Sequence, residues 1–284
     1  MTRLIGLLAL TAFAWQAAIA APAPDTLGKI KRTGTITIAY SDDALPFSFT
    51  EDNKPSGYSV DLCGEIVDSL KEQLGLEDIK VQWKAANTPE RLRMIATGAA
   101  DLECGTTSIT LDRQEKVDFS NEIFIESGGV LVLADSDIQG LVSLGDKKVA
   151  VIAGTTTEKR LVKALERKRI SANIVAIKDA KEGIKALDAK QVDAYAGDQL
   201  TLAGQVAQST DPARYAMLTQ RFSIDPYGFA LPRGDADFRL AVNRALAKVY
   251  REGAIEQIFV QAFGPDAEPS DILKVVFLIN AYPD

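Results

Sequence analysis

The chain has 284 residues, 46% hydrophobic and 25% charged, the proportions of a globular protein with a proper core and length enough for two modest domains. Its net charge of −7 supplies no dense basic face for nucleic acid, and the lack of any histidine removes His triads, His metal sites and the commonest general acid/base. Two cysteines are too few for a typical structural zinc centre, no GxGxxG or P-loop is found, and no cofactor is implied.

Residues 1–20 read as a cleaved signal peptide, with Arg3 as a positive start, residues 4–13 as an apolar run and Ala18-Ile19-Ala20 as a small-x-small cleavage signal. The apolar run is too short for a convincing membrane anchor, and no later segment approaches a span. The expectation is an exported protein, periplasmic where the cell has an outer membrane, with no membrane span of its own.

Residues 27–31 suggest one or two helical turns, and Thr35-Ile36-Thr37-Ile38-Ala39-Tyr40 alternates as a β-strand. A loop over 41–46 leads to the short extended piece Pro46-Phe47-Ser48-Phe49 and a turn cluster over 52–57. Leu62, Ile66, Val67 and Leu70 have the spacing of an amphipathic helix over 60–74, which Gly75 ends. A strand over 79–83, a helix over 90–97 and a strand over 100–103 follow. A second series starts with a strand at 129–133. It continues with a strand at 148–152, a helix from Thr156, a strand at 173–177, a helix at 180–187 and a strand at 192–197. Helices over 237–252 and 254–263 and an apolar segment over 271–280 close the chain. Strands alternating with helices predict α/β units built on mainly parallel sheets, with a cleft between two such units as the place for a small ligand.

Cys63 falls on a predicted helix and Cys104 at the end of a predicted strand. Export favours a disulfide between them, closing a loop of about 40 residues for roughly 3–4 kcal/mol in the chain-entropy model. The alternative is a pair of buried small apolar residues that never meet.

The polar clusters suit a carboxylate. Gly105-Thr106-Thr107-Ser108-Ile109-Thr110 follows a strand, with Arg113 close behind to offer a bidentate fork. Gly154-Thr155-Thr156-Thr157-Glu158 follows another strand and opens a helix, whose N–H groups can bind an anion, while Thr155 or Thr156 could equally be an ordinary helix cap. Asp198, after the 192–197 strand, could accept from a ligand ammonium or could be a solvated or capping aspartate.

Taken in order, several motifs resemble the bacterial extracellular solute-binding proteins of family 3. They include Pro46-Phe47-Ser48-Phe49, Gly57-Tyr58-Ser59-Val60-Asp61-Leu62 and Asp101-Leu102-Glu103-Cys104-Gly105-Thr106-Thr107, then Asp112-Arg113-Gln114, Val192-Asp193-Ala194-Tyr195-Ala196-Gly197-Asp198 and Pro226-Tyr227-Gly228-Phe229. The likeness spans about residues 27–264 and is nearest to the glutamate/aspartate-binding branch. It implies the two-lobed type II periplasmic-binding-protein fold, with residues 25–120 and 228–264 as lobe one, 121–227 as lobe two, two crossover segments, and 265–284 as a tail packed on a lobe. It implies a monomer that is not an enzyme, binding a free L-amino acid by hinge closure and handing it to the membrane permease of an ABC transporter.

The same resemblance assigns roles. Arg113, Thr106 and Ser108 would hold the ligand α-carboxylate, Thr155 and Thr156 would close on it from lobe two, and Asp198 would take the α-ammonium. Arg91 and Thr88 match the branch's side-chain-reading arginine and its hydroxyl neighbour. The chain departs from the branch at Ser41, where a basic residue is expected, and at Ala180, where a histidine is. The expected ligand is therefore an acidic or polar amino acid such as glutamate, aspartate, glutamine or asparagine. Arg91 has a bland alternative, an exposed helix residue satisfied by Glu90 or solvent. Two other functions are open: an exported cyclohexadienyl (prephenate/arogenate) dehydratase on the same scaffold, for which no acid stands out, and the sensor module of a receptor, which the lack of a downstream span argues against.

Overall fold

The computed structural model describes residues 24–283; the signal segment expected at 1–20 lies outside them. Helix α1 (Thr26–Thr33) is capped by the Asp25 carboxylate on the Gly28 amide and stops at Gly34, whose φ of 62° is left-handed. Strand β1 (Thr35–Tyr40) is buried along most of its length, as befits a central strand. A small antiparallel sheet of β2 (Asp43–Ala44), β3 (Ser48–Glu51) and β4 (Lys54–Ser56) follows. Helix α2 (Tyr58–Leu74) buries Leu62, Ile66, Val67 and Leu70 on one face. It begins two residues before the predicted start because Tyr58 is itself buried, donating its hydroxyl to the Ile123 carbonyl.

The first half continues with β5 (Lys80–Ala85), α3 (Thr88–Ala96), β6 (Leu102–Cys104), the single turn α4 (Leu111–Gln114) and β7 (Asp118–Phe119). The chain crosses on β8 (Phe124–Glu126) to β9 (Gly128–Leu133), β10 (Lys148–Ile152), α5 (Thr156–Lys168), β11 (Asn173–Ile177), α6 (Ala180–Asp188), β12 (Ala194–Asp198), α7 (Gln199–Ala207) and β13 (Tyr215–Met217). It returns on β14 (Asp225–Tyr227), antiparallel to β8, and completes the first half with β15 (Ala230–Leu231), α8 (Ala236–Arg251), α9 (Ala254–Phe263) and α10 (Asp271–Asn280).

Each half is built on a five-stranded sheet, ordered β5-β1-β6-β15-β7 in the first and β11-β10-β12-β9-β13 in the second. Pairs joined through a helix (β1 with β5 and β6, β10 with β11 and β12) are parallel. The pairs made by β15 and β9 are antiparallel, because these strands enter from the crossing strands with no helical return between them. The sheets are thus mixed rather than mainly parallel throughout.

Period-two alternation divides the second half's core. Val130, Val132, Val149 and Val151 join Leu161 and Leu165 of α5 on one face, while Leu131, Leu133 and Ala150 join Leu187, Tyr195 and Leu202 on the other. The first half gathers its aromatics where the chain crosses: Phe47 packs on Phe124 at 4.8 Å and on Tyr227 at 5.6 Å, and Phe124 on Phe263 at 5.6 Å between centroids. Helix α10 buries Leu273, Val276 and Phe277 against this half, with Phe277 stacked on Tyr250. Cys63 of α2 and Cys104 of β6 form a disulfide, so the bridged reading holds.

Candidate functional site

Four strands end on the gap between the halves: β1 and β6 from one side, β10 and β12 from the other. The space outside the carboxyl ends of such strands is where α/β folds hold ligands. A cavity of about 120 Å³ lies there. Its wall contains Ser41, Thr88, Arg91, Thr106 and Arg113 from the first half and Thr155, Thr156 and Asp198 from the second.

Arg113 is set on α4 beneath the cap made by Thr110 Oγ1 on the Arg113 amide, and its Nη1 donates to the Ser108 carbonyl at 2.7 Å. Removal from water lowers the guanidinium's pKa, and the nearby Glu103 carboxylate opposes that shift. Asp198 accepts from Thr157 Oγ1 at 2.9 Å and from the Tyr227 hydroxyl. Burial raises its pKa, while these two hydroxyl donors act to lower it. Although Asp198 precedes α7, its carboxylate caps no amide of that helix. The capping alternative is therefore set aside; the side chain turns instead into the cavity wall.

The threonine turn divides its duties. Thr155 is the N-cap of α5, accepting from the Glu158 amide at 3.2 Å and donating to the Ile152 carbonyl at 2.7 Å. Thr156 meets Ser108 across the cleft, hydroxyl to hydroxyl at 2.9 Å. Ser108 is 2% exposed and does not line the cavity, so its hydroxyl is directed at Thr156 and its carbonyl at Arg113. A second cross-cleft bond runs from the Ala180 amide to Asp43 Oδ2 at 3.1 Å.

Arg91 departs from the exposed-helix alternative. It is 1% exposed, and its Nε is paired with Glu103 Oε1 at 2.7 Å. Its Nη1 donates to the Ala86 carbonyl and its Nη2 to Thr88 Oγ1. Glu90, the partner suggested from sequence, instead pairs with Arg93. Gly105 makes room for this pair: a Cβ there would stand 2.5 Å from Glu103 Oε1 and 2.8 Å from Arg91 Nη2.

Asp43, Lys178, Tyr195, Thr201 and Gln205 also line the cavity, and the sequence reading gives none of them a site role. Thr201 and Gln205 lie on α7, a helix that was not anticipated, since Gln-Leu-Thr-Leu-Ala-Gly carries no clean apolar period and includes a glycine. Their spacing of four, just after Asp198, was the available signal.

Comparison with known proteins gives a consistent picture. Residues 36–265 match the family model described as bacterial extracellular solute-binding proteins, family 3. The chain is 34% identical over 250 residues to the L-glutamate/L-aspartate-binding protein of Pseudomonas aeruginosa, covering 87% of this chain and 82% of that one. It is 31% identical over 267 residues to the glutamate/aspartate import solute-binding protein of Escherichia coli K12, covering 93% and 88%. Among solved structures it resembles an ancestral amino acid-binding protein, a precursor of cyclohexadienyl dehydratase, with a TM-score of 0.73 and 26% identity over 84% of this chain and 100% of the other.

Proposed function

Because the chain belongs to the bacterial extracellular solute-binding proteins of family 3, we propose that it captures a free amino acid in this cavity and delivers it to the permease of an ABC transporter. The observation that carries the reading is the pairing of Arg113 and Asp198 in the wall of one small cavity. An α-amino acid carries one anion and one cation, and these two groups are its complement. Arg113, with Thr106 and the Thr155–Thr156 turn, takes the carboxylate; Asp198, oriented by Thr157 and Tyr227, takes the ammonium.

Residues 25–120 and 228–264 move as one lobe and 121–227 as the other, with β8 and β14 as the hinge and 265–284 carried on the first lobe. Ligand drives closure only through the contacts it gains in the closed arrangement, here those of the threonine turn and Asp198. The permease reads the closed shape of a monomer exported by its N-terminal segment. The names of the two bacterial relatives support an acidic or polar ligand, and the role is binding without catalysis.

The test is a thermal-shift screen of denatured and refolded mature protein against the twenty amino acids, small dicarboxylates, prephenate and arogenate. A shift confined to one or two polar amino acids supports the reading. No shift with any amino acid, or turnover of prephenate or arogenate, sinks it. Arg113→Ala is expected to weaken binding by about 3–5 kcal/mol, since a desolvated carboxylate loses its paired charge.

A further inference from the structure

The contacts proposed for the amino-acid backbone leave one wall of the cavity unused. Helix α7 presents Thr201 and Gln205, four residues apart and so on one helix face, and both line the cavity. Thr201 Oγ1 and Gln205 Oε1 are buried and have no hydrogen-bond partner in the protein. Buried polar atoms are normally paired, so two neighbouring orphans in a ligand cavity are open to a ligand: the Gln205 carbonyl oxygen needs a donor, and the Thr201 hydroxyl can accept or donate.

The charges in the wall point the same way. Arg91 is already paired with Glu103, and Lys178 lies 3.7 Å from Asp179. Asp43 faces the same space, its carboxylate held by the Ala180 amide and the Ser41 hydroxyl. Once Arg113 and Asp198 meet the α-groups, each cation in the cavity wall has an acid partner, while Asp43 has only neutral ones.

We propose that α7, through Thr201 and Gln205, is the specificity wall of this cavity, and that it selects an amino acid whose side chain ends in an uncharged donor, a carboxamide such as that of glutamine, over the carboxylate of glutamate. The proposal rests on the amino-acid-binding reading. A carboxamide supplies two N–H groups to the orphan oxygens and one carbonyl to Arg91, which keeps one N–H on each terminal nitrogen after its bonds to Ala86 and Thr88. A carboxylate can accept from the Thr201 hydroxyl but leaves Gln205 Oε1 without a donor, and it sets a second negative charge beside Asp43.

Isothermal titration of the ligand-stripped mature protein with L-glutamine and L-glutamate at neutral pH tests this. Glutamine is expected to bind at least about tenfold more tightly, the discrimination typical of buried groups that would otherwise go unpaired. Thr201→Val combined with Gln205→Leu is expected to reduce that ratio by lowering glutamine affinity. Asp43→Asn is expected to reduce it by raising glutamate affinity, and reads the same ratio should the α7 variant fail to fold. Tighter binding of glutamate, or a ratio unchanged in the folded variants, overturns the proposal and leaves amino-acid binding intact. So does binding confined to amino acids that carry no carboxamide. Binding of no amino acid overturns both.

Discussion

Arg91 and Glu103 show how a residue can be both structure and site. They are 1% and 0% exposed, and their ion pair spans α3 and β6 directly behind the cavity. Removing one partner strands the other charge in a site with little water. Arg91→Met is therefore expected to lower unfolding free energy by about 3–5 kcal/mol, measured by denaturant titration of the unliganded protein. Replacing both residues by apolar ones of similar volume should cost less than Arg91→Met alone, because no charge is then left unpaired. If the two variants are equally unstable, it is packing rather than charge that the pair provides. Arg91 was legible as a site candidate only through the family resemblance of Asn87-Thr88-Pro89-Glu90-Arg91, and its partner was not legible at all. Glu103 is twelve residues away, and only the placement of α3 over the end of β6 joins them.

At the scale of elements, the crossing strands carry an unusual acid. Glu126 of β8 is 3% exposed, and burial pushes its pKa up to about 8, with Asp198 adding to the shift and the Ser127 and Leu200 amides opposing it. A carboxyl raised in this way contributes its stability fully below its unfolded value near 4.5 and loses it as pH rises through about 8. Stability is accordingly expected to fall between pH 5 and pH 9, and Glu126→Gln to flatten that slope; an equally steep slope in the variant would assign it to other groups. The Cys63–Cys104 bridge ties α2 to β6, the strand that leads into the Gly105-Thr106 turn. Cys63→Ser with Cys104→Ser is expected to cost about 2–5 kcal/mol by thermal or chemical unfolding. The amphipathic spacing in α2 and the alternation in β1 were readable because each obeys one local period. Helix α7 was not: its place is set by Leu202 packing under β9 and β12, a tertiary contact that overrides a weak local pattern.

For the whole molecule, the two halves have separate cores, and among the described residues they meet through Ser108 with Thr156, Asp43 with Ala180 and the exposed ion pair of Asp112 with Lys159. Such an interface is easily opened, so a ligand bound between the halves contributes much of what holds them together. At 100 times its dissociation constant a ligand is expected to raise unfolding free energy by about 2.7 kcal/mol, with slower amide exchange over 153–158 and 198–205 than over the outer strand β11. Uniform slowing throughout both halves would speak against closure on the cavity.

What the sequence determined by itself is local or ordered along the chain. Apolar periods set most of the helices and strands, the two threonine turns follow strands in β10–α5 and β6–α4, and the lack of histidine narrowed the chemistry. The tertiary structure decided everything that depends on two distant segments meeting. It made β9 and β15 antiparallel, drew Ser108 out of the cavity wall onto Thr156, and turned Asp198 away from its helix toward Tyr227. It also brought Thr201 and Gln205 to the cavity with oxygens unpaired. The physical reason is the same in each case: a buried polar group takes whichever partner the packing of apolar faces places within reach, and that partner need not be near it in sequence.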